Sequence, residues 1–515
     1  MAPRRHGVTF TDRFDLASLR LGASVLWATD DFFAEKENLL SRHDAEWREH
    51  AYTDRGKWMD GWESRRKRHP DGTADTSLHP DFSDACIVRL GLPGIIRGVC
   101  VDTSWFRGNF PEACEILGCA APIDAPLEVL LDPATVWTPV LGRAALQGNS
   151  KNLFAVDCPF AFTHVKLVIY PDGGVARLRV YGDVVPDWRR MGHARGEIDL
   201  AAAESGGDVV ACSDMFFGER RNLIMPGRAV NMSDGWETRR RRGPGHDWAI
   251  LRLAAPGEIS RLEIDTNHFK GNFPDTCSVE VCSAPGAVVA DLKDTTWREL
   301  LPRTRLQAHT RHYFEPELAR LGSVTHVRLN VYPDGGVSRL RVWGTLDDAA
   351  RTALGVTRLD TLPVDRAEAE LKACCASKRW LAAMLESRPF GTVERVYAAS
   401  DRAWASTGPE DWHEAFRAHP RIGDRKAATH GWSAQEQAGM GAAPEELQHA
   451  MAAANRAYEE RFGFLYIVCA TGKSADELLT IIRERLDNPP ERELEVAASE
   501  LHRITTIRLA KLLTP

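Results

Sequence analysis

The chain states three long phrases twice and then stops repeating for its last third. Residues 60–68 read DGWESRRKR and residues 234–242 read DGWETRRRR; residues 102–111 read DTSWFRGNFP and residues 265–274 read DTNHFKGNFP. The longest pair is HVKLVIYPDGGVARLRVYG at 164–182 and HVRLNVYPDGGVSRLRVWG at 326–344. One module has been duplicated in tandem and has kept its polar words as well as its apolar ones. Retained polar words are what a site leaves behind. The spacing between the copies shortens in two steps, so copy one carries extra residues around 43–52 and 70–80. Both stretches are rich in charge, Pro, Gly and Asp, as surface loops on a fixed scaffold are.

For a chain of 515 residues, a prior of roughly 150 residues per domain suggests about three domains. Two copies and a tail give the same count, at 1–190, 191–352 and 358–515. No run approaches the ~20 apolar residues of a membrane span, and no apolar segment follows the basic residues of the first ten. The expectation is a cytosolic protein without membrane contact. The eleven cysteines are scattered with no paired CxxC spacing, which reads as small buried hydrophobes rather than a zinc or disulfide framework. A formal charge of -7 opposes nucleic-acid binding. The basic runs at 65–68 and 239–242 abut a repeated Asp-Gly-Trp-Glu, an adjacency that suits a pocket for an organic anion.

The repeated module reads as all-β. Val165, Leu167 and Ile169 alternate with polar positions, as do Val327, Leu329 and Val331, and a second alternating run follows at Leu178, Val180 and Leu340, Val342. Pro-Asp-Gly-Gly lies between them, with turn chemistry that predicts a hairpin in each copy. Short strands broken by Gly, Pro and Asp clusters imply a sandwich or jelly roll.

These words, in this order and each present twice, resemble allantoicase (allantoate amidinohydrolase) over about residues 10–350. The resemblance implies two jelly-roll domains of galactose-binding-like sandwich form that hydrolyse allantoate to ureidoglycolate and urea. Allantoate is a carboxylate whose central carbon carries two ureido groups. Its pocket therefore needs a guanidinium for the carboxylate, and carboxylates or amides for the ureido N–H donors. Release of urea adds a general acid and a base for water. The candidates are Asp214, Glu237, Arg239, Arg240, His268, Asn272 and His326 in copy two, and Asp30, Glu63, Arg65, Arg66, Asn109 and His164 in copy one. Each has a structural reading too: Asp30 and Asp214 as turn caps, Asn109 and Asn272 as left-handed residues, His164 and His326 as strand starts bonded to a loop carbonyl. Copy two has His268 where copy one has Trp105, and it alone carries His309 and His312. Its titratable chemistry is the richer, which favours copy two as the source of the acid or base. That histidine pair is also half of a metal site, so a divalent metal stays open for the hydrolase, with no third ligand declared.

After Gly344 the pattern changes. Residues 347–361 read as a polar connection, and from Asp365 the period becomes helical, with Leu371, Cys374, Cys375, Leu381 and Leu385 at three- and four-residue steps up to Pro389. Helices are predicted over 433–440, 445–461, 474–486 and 491–513, two of them opened by the capping boxes Ser433-x-x-Glu436 and Ser474-x-x-Glu477. The last third is an all-α domain.

Within it, WHEAFRAHPRIGD at 412–424, SAQEQAG at 433–439, NRAYEERFGFLYIV at 455–468 and ITTIRLAKLL at 504–513 together resemble 2-oxo-4-hydroxy-4-carboxy-5-ureidoimidazoline (OHCU) decarboxylase, over about residues 358–515. The resemblance implies decarboxylation to (S)-allantoin without a cofactor. It implies His419 as catalytic acid or base with Pro420 beside it, Glu436 and Gln437 on the polar edge of the substrate, and Arg508 facing it. Ser433 and the backbone of Val468, Cys469, Ala470, Thr471 and Gly472 complete the expected pocket. Glu436 is also the third residue of a capping box and Arg508 lies near a helix end, where structure alone explains either. His419 before Pro has the weakest structural excuse.

Both resemblances lie on one route of urate breakdown, separated by ring opening, so a free allantoinase is a candidate partner and direct channelling is not implied. The expectation is a bifunctional homo-oligomer acting on small ureides (allantoate and OHCU), with no nucleic-acid partner. The rival reading makes the repeats a non-catalytic ligand-binding module fused to an active decarboxylase.

Overall fold

The structure, a computed structural model, describes residues 9–68, 82–186, 196–422 and 444–514. It comprises two compact units, one of residues 1–354 with 361–363 and one of residues 355–360 with 364–515.

In the first unit each copy is organised by a 19-residue strand, Asp84–Asp102 and Asp247–Asp265. The first half of Asp84–Asp102 pairs with Ala161–Tyr170, from Asp84 opposite Ile169 to Ile95 opposite Ala161. Its second half pairs with Arg177–Val184, from Gly94 opposite Val184 to Asp102 opposite Arg177. Copy two repeats the scheme, with Ser323–Tyr332 on the first half and Arg339–Leu346 on the second. The long strand therefore serves both sheets of a sandwich. It changes sheet at Pro93-Gly94 and Pro256-Gly257, where the partners' registers slip, as bends in strands require.

This pairing corrects the expected hairpin. The strands on either side of Pro-Asp-Gly-Gly do not pair with each other. Each pairs with the long strand, and between them Gly174–Val175 pairs with Trp62–Glu63, and Gly336–Val337 with Trp236–Glu237. Local turn chemistry marks the reversal but not the partner, which the shared long strand supplies.

The alternation does mark the core. Val165, Leu167, Ile169, Leu178 and Val180, with their copy-two equivalents Val327, Leu329, Val331, Leu340 and Val342, have no exposed surface and belong to one apolar cluster that runs through both copies. A charged contact also joins the copies. Arg20 lies 2.6 Å from the Asp234 carboxylate and donates to the Asn222 side chain at 2.6 Å. All eleven cysteines are free, and all but Cys212 are buried.

The second unit is helical in its described residues. The expected polar connection is instead a helix, Asp348–Thr361. Val356 and Leu359 are its buried face. The charge that made it look solvent-bound is internally paired, since Arg358 bonds Glu370 bidentately at 2.8 and 2.5 Å. The periodic run up to Pro389 is two helices, Val364–Cys374 and Lys378–Glu386, divided where the Ser377 hydroxyl caps the amide of Trp380. Val393–Ala405, Pro409–Arg417, Glu445–Phe462, Ala475–Arg485 and Pro490–Leu513 follow. The Ser474–Glu477 capping box is present, whereas the helix expected at 433–440 lies outside the described residues. Among the described residues no helix is long and apolar enough to cross a membrane.

Candidate active sites

In each copy the three repeated words meet at one end of the sandwich. Glycine is the joint. Gly173 and Gly335 have φ of +133° and +132°, and a Cβ there would press on the backbone of Asn109 and Asn272 at 2.7 Å. A Cβ on Gly174 or Gly336 would fall 1.9 or 2.0 Å from the ring of Phe106 or Phe269. The Pro-Asp-Gly-Gly word therefore lies flush against the Asp-Thr-x-x-Phe-x-Gly-Asn word. Gly174 and Gly336 donate to the carbonyls of Asn109 and Asn272 at 2.7 and 2.8 Å.

On this platform the polar side chains repeat their bonds. Asn109 donates to Glu63 at 2.7 Å, and Asn272 to Glu237 at 2.5 Å. Arg65 meets the Asp30 carboxylate at 2.6 Å and Arg239 meets Asp214 at 3.1 Å. Asp30 and Asp214 also accept from the amides of Phe32 and Phe216, so their turn-capping and guanidinium-pairing roles coexist. The indoles of the buried Trp62 and Trp236 anchor the Asp30 and Asp214 carbonyls at 2.7 and 2.8 Å.

Three further positions, two of them in the repeated words and the third opening the long strand, complete the cluster. Asp172 and Asp334 accept from the amides of Lys67 and Arg241 at 2.6 Å. The Lys67 and Arg241 side chains reach Asp84 and Asp247 at 2.7 and 2.6 Å. The signal was the Asp of each Pro-Asp-Gly-Gly, read only as turn chemistry.

Electrostatics separates the carboxylates. Burial pushes the Glu63 carboxyl above its ordinary range, against the Asn109 bond and the charge of Arg66, and Asp172 adds to the rise. Burial likewise raises Asp172, against the amide of Lys67. At Asp30 burial acts upward but is outweighed by the amides and guanidinium that bond it, and its pKa is lowered. Asp214 follows the same balance. Burial at Glu63 and hydrogen bonding at Asp30 thus move the two carboxyls in opposite directions.

The two copies differ at the second arginine. Arg66 bonds the Gly108 carbonyl at 3.1 Å and lies 3.5 Å from Asp172. Among the described residues Arg240, its counterpart, is exposed and has no ion-pair partner.

The histidines have other employment. His268 and Trp105 both adopt left-handed backbone, with φ of 70° and 72°, and both bond a loop carbonyl through the ring N–H, those of Ala229 and Ala45 at 3.0 and 2.7 Å. His309 accepts the His268 amide at 2.8 Å as Asn149 accepts that of Trp105 at 2.9 Å. His312 accepts the Gln307 amide and bonds the Ile264 carbonyl, the two bonds that Asn152 makes to Gln147 and Val101. The extra histidines of copy two thus stand in for the ring and amides of copy one. Among the described residues no group of three or more His, Cys, Asp or Glu is arranged to hold a metal ion. His164 and His326 are the fourth residues of Ala161–Tyr170 and Ser323–Tyr332, six residues from Tyr170 and Tyr332, which is about 20 Å of strand. Each bonds the preceding threonine hydroxyl at 2.9 Å. Burial, helped by Arg89 and Arg252, lowers each to a pKa of about 4. The structure does not bring these two to the cluster.

The helical unit has its own cleft, lined by His419, Pro420, Ile422, residues 466–468, Ala470, Thr471, Ile504, Ile507 and Arg508. His419 follows the helix Pro409–Arg417, its amide bonded to Phe416 at 3.0 Å. Asn455 holds the next turn through the Ile422 carbonyl at 3.0 Å. Arg508 is 8% exposed and projects from Pro490–Leu513. Val468, Ala470 and Thr471 thus share the cleft with His419, Pro420 and Arg508. Cys469 is tied back beneath the wall, and Gly472 follows it in left-handed backbone. Ser433, Glu436 and Gln437 lie outside the described residues.

Comparison with known proteins agrees with this division. The family model described as allantoicase repeat matches residues 14–185 and 198–347, and that described as OHCU decarboxylase matches residues 360–510. A probable allantoicase of Photobacterium profundum is 48% identical over 339 residues, 65% of this chain and 98% of that protein. Probable allantoicase 1 of Burkholderia mallei is 51% identical over 342 residues, 66% of this chain and 96% of that protein. The crystal structure of allantoicase from Saccharomyces cerevisiae superposes with a TM-score of 0.53 at 33% identity, covering 65% of this chain and 93% of that one.

Proposed function

Since the chain belongs to the allantoicase family through its two repeats and carries an OHCU decarboxylase domain after them, we propose that its two activities arise at the sites built above. It is a bifunctional enzyme of ureide breakdown. The hydrolase cleaves allantoate to ureidoglycolate and urea, and the decarboxylase converts OHCU to (S)-allantoin. Between the steps the allantoin ring must open, which calls for a separate allantoinase.

The observation that carries the hydrolase site is the carboxylate–amide pair repeated in both copies, with Arg66 close enough to act on Glu63 in copy one. An amide-anchored glutamate accepts from ureido N–H groups, and a guanidinium takes the substrate carboxylate. In copy two Arg240, which has no ion-pair partner among the described residues, suits that role; in copy one it falls to Arg66. In the copy-one cluster Glu63, raised by burial, is the group suited to deliver a proton to the departing nitrogen as water forms the new C–O bond and the C–N bond breaks, and the carboxylate so formed takes back the proton that the added water loses. Water and allantoate then account for every atom of ureidoglycolate and urea.

In the helical cleft His419 and Arg508 divide the work. Arg508 holds an anionic group of the substrate. As CO₂ leaves, the electron pair stays on the ring carbon, and His419 gives that carbon a proton on one face. The apolar wall of Ile422, Ile504 and Ile507 keeps water from competing.

Urea release from allantoate by the purified full-length protein tests the hydrolase reading. Urea formed by the wild type, and reduced by ~10² or more in Glu63→Gln or Glu237→Gln, supports it. Binding of allantoate without urea release would return the repeats to a ligand-binding module.

A further inference from the structure

One wall of the decarboxylase cleft, residues 466–471, has no regular structure, so no ladder of backbone bonds holds it. It is nonetheless buried from Tyr466 to Ala470. Charged side chains beneath it take its polar groups. Arg485, in the last turn of Ala475–Arg485, donates Nη1 to the Ile467 carbonyl at 2.8 Å. Glu500 accepts the Cys469 amide at 2.8 Å, and Lys473 reaches the Cys469 carbonyl at 2.5 Å.

Arg485 is itself aimed from below. Glu493, with no exposed surface, accepts Nε and Nη2 of Arg485 at 2.8 and 2.5 Å, the Asn488 amide at 2.6 Å and the Tyr458 hydroxyl. Because the guanidinium is a rigid planar fork, fixing two of its nitrogens fixes the direction of the third. A buried ion pair is weak evidence for stability, since apolar side chains of similar volume often hold a fold as well. An apolar side chain has no donor to offer the Ile467 carbonyl.

We propose that Arg485, aimed by Glu493, is a positioning residue of the decarboxylase that sets the 466–471 wall against His419 and Arg508. The inference rests on the decarboxylase reading of that cleft. Arg485 does not line the cleft, so it acts through the Ile467 backbone. A displacement of ~1 Å in such a wall costs up to ~10² in rate.

The test compares Arg485→Met, Arg485→Lys and Tyr458→Phe with the wild type in the full-length protein, reading kcat, KM, the pH profile of decarboxylation and the melting temperature. In the Arg485 variants kcat/KM falls tenfold or more, with higher KM and lower kcat, while the midpoint of the pH profile stays in place because His419 is untouched. Tyr458→Phe removes one bond to Glu493 and the 3.3 Å bond that Arg485 Nη2 donates to the hydroxyl, but leaves both Glu493 bonds of the guanidinium and the Ile467 clamp, so it lowers the melting temperature and keeps kcat/KM within about twofold. If the Met variant fails to fold, the Lys variant decides, since it keeps a charge facing Glu493 without a second arm for the carbonyl. Wild-type kcat/KM in a folded Arg485 variant, or an equal loss in Tyr458→Phe, overturns the proposal. An inactive wild type would instead overturn the decarboxylase reading itself.

Discussion

Asn272 donates its side-chain amide to Glu237 at 2.5 Å, joining two words that lie 35 residues apart. The same bond joins Asn109 to Glu63 across 46 residues in copy one. A pair kept in both copies on a platform that admits only glycine is preorganised before any substrate arrives.

That preorganisation is testable at Gly336. Replacing it with alanine drives a Cβ to within 2.0 Å of the Phe269 ring, and overpacking of this kind costs about 1–3 kcal/mol. The expected result is a folded protein with a lower melting temperature and a loss of urea release, the latter out of proportion to the loss of stability.

The unequal arginines predict unequal kinetics. Arg240→Ala should raise KM for allantoate by about tenfold or more, the consequence of losing a charge-assisted bond of ~1.5–3 kcal/mol. Arg66→Ala should raise it less, because Arg66 already faces Asp172. Steady-state urea release from the two variants checks this.

Glu63, held above its ordinary range by burial, should lend the hydrolase an alkaline limb. As an acid it works protonated, so activity falls as pH rises through its raised pKa. Glu63→Gln should remove that limb along with most of the rate, which a pH profile of kcat would show.

Stability should depend on pH through His164 and His326. Their folded pKa values, about 4, lie below the ordinary 6.5 of histidine. As pH falls the unfolded chain takes up the protons first. Stability is therefore full above pH ~6.5 and is lost as pH falls towards 4, by on the order of 3 kcal/mol for each histidine at the lower end. Melting curves between pH 7 and 4.5 should show this slope, and a His164→Asn, His326→Asn double variant should flatten it.

Much of this was legible in the sequence because duplication separates what the fold needs from what the site needs. The alternation at Val165, Leu167 and Ile169 marked the core, and the repeated Glu63, Arg65 and Asn109 marked the cluster. The partner of each strand was not legible. Turn residues at Pro171-Asp172 report a local reversal, whereas pairing was decided by a long strand that both neighbours share. Asp172 and Lys67 were passed over for the same reason, since a turn and a basic run each had a local explanation. The histidines of copy two drew attention by their chemistry, yet His309 and His312 do the work of Asn149 and Asn152, an equivalence visible only in their hydrogen bonds. At Arg358, paired charge inside a helix looked like solvent-facing charge in a loop.

The central claim is that one chain carries two independent catalysts. The most direct test assays a single preparation of the full-length protein, and of its His419→Ala variant, for both urea release from allantoate and decarboxylation of OHCU. The account predicts that the variant loses decarboxylation by ~10² or more and releases urea at the wild-type rate. Loss of both activities in the variant, or decarboxylation undiminished by it, would contradict the account.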